Sequence, residues 1–308
     1  MGVIADRIKH YLKTKDTDPA IGEEAKSRLR DQAAGIGVRL AMNLSRQILP
    51  YTKKIREGVT LYPSSATKCP RQLAYQALEF PMEPMLPSTK LKFIAGDLIE
   101  TAALALIASA FLVTGNNEEQ EFEIAGKPRR GRSDGTIHME QRKNLELKSM
   151  GAYGFKKFVG GELDDTWGYL GQANVYARTK LKLDQIDEPG ATVFVGVDRE
   201  SGAIHDVEVP YEPKYALLAD MNFNHVETSL ANKKLPNRPF ELGRDGKLPL
   251  ICSYCPVKYS CYASPGQRVQ FDENDDPVYE AGTAQIAQKF MTKGATGPRP
   301  AWRVVNCL

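Results

Sequence analysis

"GRSDGTIHMEQRKNLELKSM", residues 131–150, is the stretch whose reading decides the fold. Residues 132–139 and 145–150 flank a polar segment, 140–144, and predict a β-hairpin. Side chains alternate along a strand, so Glu146 and Lys148 share one face while Leu145 and Leu147 fill the opposite, buried face. Asp134 lies on the partner strand, where a hairpin carries it toward Glu146. Two carboxylates and one ammonium then converge from adjacent strands. Carboxylate oxygens suit Mg²⁺ or Mn²⁺, which are hard cations. A lysine beside them can orient or deprotonate water, or stabilise charge on a phosphate. The same spacing also fits a solvated strand face with a salt bridge, and at this level both readings stand.

Working outward, residues 1–60 read as helical. Leu29, Ile36, Leu40, Leu44 and Ile48 recur at amphipathic spacing through 23–49, and Pro50 is a stop. Ser65 or Thr67 caps a helix over 70–80, and a proline-rich loop leads to a second helix over 90–111. A loosely alternating strand is expected at 119–124. A helix over 164–179 carries Trp167, Leu170, Ala173 and Tyr176, and strands at 191–197 and 203–209 form a second hairpin. A helix follows at 213–232. This mixture of helices and strands predicts an α/β core with a central mixed sheet flanked by helices.

The chain has 308 residues, 42% of them hydrophobic, enough for one large core or two lobes. It contains no continuous apolar run of about 18 residues; the most apolar stretch, 101–113, is too short to span a bilayer. The first thirteen residues lack the features of a secretory signal, so a cytoplasmic protein without membrane contact is expected. Net charge is only +3, but residues 127–157 hold nine Lys and Arg against three acids. Such a field suits a polyanionic partner, and equally a solvated loop. Cys252, Cys255 and Cys261 give C-x₂-C-x₅-C, with Cys69 far upstream. Four thiolates can hold a tetrahedral zinc ion or a 4Fe–4S cluster. Cys307 is left over and is given no role, and an odd cysteine count argues against a disulfide framework.

Ser133-Asp134 followed by Glu146-Leu147-Lys148 resembles the PD-(D/E)XK nuclease superfamily, with the proline of the motif missing. Gln172 and Tyr176, four residues apart and so on one helix face, resemble the Q-x-x-x-Y element of its RecB-type members, although a half-buried tyrosine on an amphipathic helix gives the same pattern. Gly96 and Glu100 resemble the G-x-x-x-H/E element, with glutamate where histidine is common. One upstream cysteine, in Cys69-Pro70-Arg71 with Tyr75 nearby, and three clustered downstream resemble the iron–sulfur subclass that includes AddB-like and CRISPR-associated exonucleases. The likeness covers residues 62–262.

Several expectations follow from this resemblance. The fold is a restriction-endonuclease-like core over 61–265, closed by a four-cysteine staple, with a helical region at 1–60 and an extension at 266–308. Asp134, Glu146, Glu100 and the Leu147 carbonyl bind Mg²⁺ or Mn²⁺. Lys148 handles the attacking water, and Gln172 and Tyr176 support the site and touch DNA. Lys127, Arg129, Arg130, Arg132, Lys156 and Lys157 hold the backbone of single-stranded DNA or DNA ends. Cys69, Cys252, Cys255 and Cys261 bind a structural 4Fe–4S cluster, with zinc as the alternative. The activity is a DNA exonuclease in recombination, repair or phage DNA processing, and a homo-oligomer or a recombination partner is compatible with it. The contrasting expectation is a non-catalytic DNA-binding scaffold.

Overall fold

The computed structural model describes residues 2–15, 17–48, 61–78, 86–116, 118–163, 168–232, 234–240 and 248–263. The expected extension at 266–308, Cys307, Trp167, Pro50 and residues 81–85 of the proline-rich loop at 81–88 lie outside them. Helices α1 (Val3–Thr14) and α2 (Pro19–Ile48) lead, and a 3₁₀ turn (Pro63–Ser65) precedes α3 (Pro70–Ala77) and α4 (Pro87–Ala110). Strands β1 (Leu112–Thr114), β2 (Glu119–Ile124), β3 (Lys127–Arg132), β4 (Gly135–His138) and β5 (Arg142–Met150) follow. The rest comprises α5 (Ala152–Val159), α6 (Tyr169–Lys182), β6 (Ala191–Asp198), β7 (Ile204–Pro210), α7 (Pro213–Ala231), α8 (Leu250–Ser253) and α9 (Lys258–Ala263).

The chain is α/β, with a mixed five-stranded sheet in the order β1-β4-β5-β6-β7 and helices against it. Only β5 and β6 are parallel; the other pairs are antiparallel. Every residue of β6 is buried, as a central strand covered on both faces requires. One face is closed by α1 and α4, where Ile4, Ile8, Leu104 and Ile107 pack on Leu145, Leu147, Val193 and Val195. On the other face Phe158 of α5 and Ala173 of α6 meet Phe194. A second core joins α3, α6, α7 and β2 through Tyr75, Phe122, Tyr176 and Phe223, so α6 is packed on both sides. Asp206 of β7 accepts hydrogen bonds from the Ile4 and Ala5 amides and pins the start of α1.

Two expectations are corrected. The first strand of the hairpin is Gly135–His138, not 132–139, and Arg132 ends a separate strand. The basic run 127–132 is not a loop. It turns at Ala125 and Gly126, both left-handed (φ 57° and 68°), and pairs with β2. Glu119 and Glu121 lie opposite Arg132 and Arg130, a cross-strand charge match that composition alone conceals. The most apolar stretch of the sequence falls largely in α4. Among the described residues α4 alone is long and apolar enough to cross a membrane by length and composition, with a mean hydropathy of 1.6 over 18 residues. Here it is a core helix, burying Thr101, Ala103, Leu104, Ile107 and Ala108. Strand β1 and helix α5 were not expected; of the helix expected over 164–179, residues 164–167 lie outside the described residues and α6 starts at Tyr169.

Candidate active site

Asp134 occupies the break between β3 and β4. Gly135 follows with φ +136°, and a Cβ there would lie 2.8 Å from Val113 Cγ1, so the turn that aims Asp134 inward requires glycine. Gly135 pairs with Leu145 in the β4–β5 register. Asp134 Oδ2 accepts the Leu147 amide at 2.7 Å, and Oδ1 accepts Arg39 Nη1 at 2.7 Å. The hairpin therefore brings Asp134 to the Glu146-Leu147-Lys148 segment, as the motif spacing suggests.

Glu146 is 2% exposed, which excludes the solvated strand face. Its Oε1 accepts Lys148 Nζ at 2.5 Å and Gln172 Nε2 at 3.1 Å. Its Oε2 is buried and has no hydrogen-bond partner. An orphaned carboxylate oxygen of this kind is costly and calls for a cation or proton. Burial pushes the Glu146 carboxyl up to about 7 despite the Lys148 ammonium. Burial also works against the Lys148 charge, but Glu146, Asp134 and Glu100 outweigh it and hold its pKa above the usual lysine value. For Asp134, burial is outweighed by Arg39, Lys148 and the Leu147 amide, and its carboxyl stays below the normal range.

Glu100 reaches the same place from α4. A Cβ on Gly96 would stand 2.9 Å from Ser149 Oγ, so glycine lets the helix approach β5. One turn later Glu100 Oε1 accepts the Ser149 amide at 2.9 Å, and its Oε2 lies 3.8 Å from Arg39 Nη2. Burial, reinforced by Asp134, raises its pKa. Tyr176 is 1% exposed; its hydroxyl donates to the Arg132 carbonyl at 3.1 Å and its ring packs against Phe122, centroids 4.6 Å apart and planes tilted by 39°. That burial removes the expected contact with DNA: Tyr176 positions the β3 end of the site from within the core.

Two site residues escaped the sequence reading. Arg39 projects from α2, is 5% exposed and bridges Asp134 and Glu100. Lys180 is 1% exposed and donates to the Gly135 carbonyl at 2.5 Å. Burial drives its pKa down to about 7, only partly opposed by Asp134 and Glu146. Gln172, Tyr176 and Lys180 recur every fourth residue along α6 and mark one face. That spacing could have exposed Lys180; nothing local marks Arg39.

The basic residues are less available than their count suggests. Lys127 and Arg129 both pair with Glu227, and Arg130 and Arg132 each stand 3.5 Å from Glu119. Lys157 lies 3.7 Å from Glu162 and over the Tyr153 ring, and Lys156 is beside it near the end of α5.

The four expected cysteines come together. Cys69, Cys252, Cys255 and Cys261 are unbridged and line one cavity of about 20 Å³, with Tyr262 and Arg238. Tyr262 donates to Cys252 Sγ at 3.4 Å, and Arg238 donates to the Cys261 carbonyl at 2.8 Å. Arg71 is buried and donates to the Pro236 carbonyl at 2.8 Å, tying α3 to this region. Burial raises the Cys69 and Cys252 thiols and pushes Cys255 up to about 12.

The donor sets fit their expected ions in kind: oxygens with an orphaned atom at one site, four thiols on one cavity at the other. Among the described residues, however, no group of three or more His, Cys, Asp and Glu side chains is drawn tightly enough to hold a metal. Arg39 and Lys148 offset two of the three carboxylate charges.

No family model matches the chain, and no curated protein matches it. Among solved structures it is similar to the crystal structure of SSO0001, with a TM-score of 0.44 and 18% identity over 76% of this chain and 97% of that one.

Proposed function

We propose that this chain is a divalent-metal-dependent DNA nuclease of the PD-(D/E)XK type, acting as an exonuclease on single strands or ends. The observation that carries the reading is Glu146: a carboxylate on a central strand, 2% exposed, with one oxygen unpartnered and with Asp134, Glu100 and Lys148 around it. A purely structural acid at that position would be a poor choice, because burying it costs more than an apolar residue does.

Asp134, Glu146, Glu100 and the Leu147 carbonyl would hold Mg²⁺ or Mn²⁺. When bound, such an ion acidifies water and offsets charge on the leaving oxygen. Lys148, fixed between Glu146 at 2.5 Å and the Tyr169 ring at 5.0 Å, orients the water and faces the phosphate. Gln172 holds the Glu146 rotamer. Tyr176 and Lys180 hold the carbonyls on either side of Ser133-Asp134, which fixes the aspartate without touching substrate. Exposed basic groups on the β2–β3 ribbon and on α5 supply sequence-independent attraction to the backbone. The four thiols would hold a 4Fe–4S cluster, or zinc, that staples α3 to the segment carrying α8 and α9.

The test is cleavage of end-labelled single- and double-stranded DNA in Mn²⁺ against EDTA, using Asp134→Asn, Glu146→Gln and Lys148→Met. Each variant should lose cleavage while keeping its circular dichroism; activity retained in any of the three sinks the assignment. The pairing of Arg39 with Asp134 at 2.7 Å and with Glu100 at 3.8 Å favours the second reading, a non-catalytic DNA-binding scaffold. DNA binding without metal-dependent cleavage would select it. Anaerobic purification separates the two cofactors: an iron–sulfur protein is brown, whereas a zinc protein is colourless.

A further inference from the structure

We infer that Arg39 takes the place of a second divalent ion, so that the carboxylate site accepts one metal where such sites often accept two. The inference rests on the nuclease reading above and concerns a residue outside the stretch that resembles the family. Two-ion sites use carboxylates that bridge the metals. Here the bridging positions are filled by one guanidinium: Nη1 lies 2.7 Å from Asp134 Oδ1 and Nη2 lies 3.8 Å from Glu100 Oε2.

The arginine cannot easily withdraw. Helix α2 is locked beside it, with Arg28 donating to the Ser109 carbonyl and Gln32 donating to the Ala108 carbonyl while accepting the Val113 amide. Arg39 is itself 5% exposed, so leaving would require moving the helix or leaving two half-buried acids without their cation. The Glu146 side is different. Its Oε2 has no partner, and that is where a single ion finds an uncommitted oxygen.

Charge balance points the same way. Asp134, Glu146 and Glu100 against Arg39 and Lys148 leave one unit of negative charge. One divalent ion turns this into a single positive unit, matched to one phosphodiester. A second ion would leave the loaded site strongly positive in a buried setting, where uncompensated charge is expensive.

The experiment is a titration of the full chain with Mn²⁺, followed by calorimetry and by electron paramagnetic resonance, with an Asp134→Asn/Glu146→Gln chain subtracted as background. The wild type should bind one ion at the site and show no spin coupling between ions. Arg39→Ala should bind two and develop the dipolar-coupled signal of ions about 3.5–4 Å apart. Arg39→Lys, which keeps the charge, should remain at one. A coupled pair in the wild type overturns the inference even if Arg39→Ala fails to fold, and so does an Arg39→Ala protein that stays at one ion. A wild type that binds no Mn²⁺ above background removes the nuclease reading itself, and this inference with it.

Discussion

Lys180 offers a test that needs no substrate. Its amine is 1% exposed and donates to the Gly135 carbonyl at 2.5 Å, and burial lowers its pKa from 10.5 to about 7. The folded chain therefore releases this proton near pH 7, whereas the unfolded chain keeps it until about pH 10.5. Between those values the unfolded state binds more protons, so the folded state gains stability as pH rises; the contribution is lost as pH falls through 7. From pH 7 to 9 the gain is about 2 kcal/mol, after allowing for half-titration at pH 7. Lys180→Met has no such group. It loses the hydrogen bond to Gly135, a pH-independent cost of about 1–3 kcal/mol. Urea unfolding followed by circular dichroism, in EDTA at pH 6, 7, 8 and 9, yields the difference between the two proteins, in which the titrations of groups other than Lys180 and its neighbours Asp134 and Glu146 cancel. That difference should widen in favour of the wild type by about 2 kcal/mol between pH 7 and 9. Parallel curves across the range would refute the reasoning.

Other outcomes follow from the same geometry. Gly96→Ala places a methyl 2.9 Å from Ser149 Oγ, a clash set against about 1 kcal/mol of gained helix propensity, so the single variant should melt no higher than the wild type; combined with Ser149→Ala, which removes the clash, Gly96→Ala should raise the melting temperature relative to Ser149→Ala alone. Because burial raises Cys69, Cys252 and Cys255, Cd²⁺ titration of the apo thiols at pH 7 should release close to one proton per bound thiol; a pH indicator that registers no release removes the thiolate centre. Glu227→Gln unpairs Lys127 and Arg129, so affinity for single-stranded DNA should rise at low salt with a steeper salt dependence, and an unchanged slope would take the β2–β3 ribbon out of the DNA path.

Local chemistry made part of this legible. Strand β2 lies where alternation put it, and Glu146 and Lys148 share a face because strand period leaves no other choice. Gly96 and Gly135 each sit where a side chain would collide, which explains why a motif with loose spacing still forms a tight site. The failures were also physical. Residues 127–132 resemble a loop because their strand character is supplied by Glu119 and Glu121 opposite them. Helix α5 is bracketed by Gly151 and Gly160, which read as breakers. Arg39 was invisible because an arginine on an amphipathic helix resembles every other solvated one. Its burial is decided by Asp134, 95 positions away.

The cysteine cavity has a consequence for how the protein is made. Its first wall, Cys69, is translated long before Cys252, Cys255 and Cys261. During synthesis the early thiol must wait until the whole five-stranded sheet has left the ribosome. Closure of that corner is thus a late event in maturation, and a chain truncated before residue 252 would never reach it.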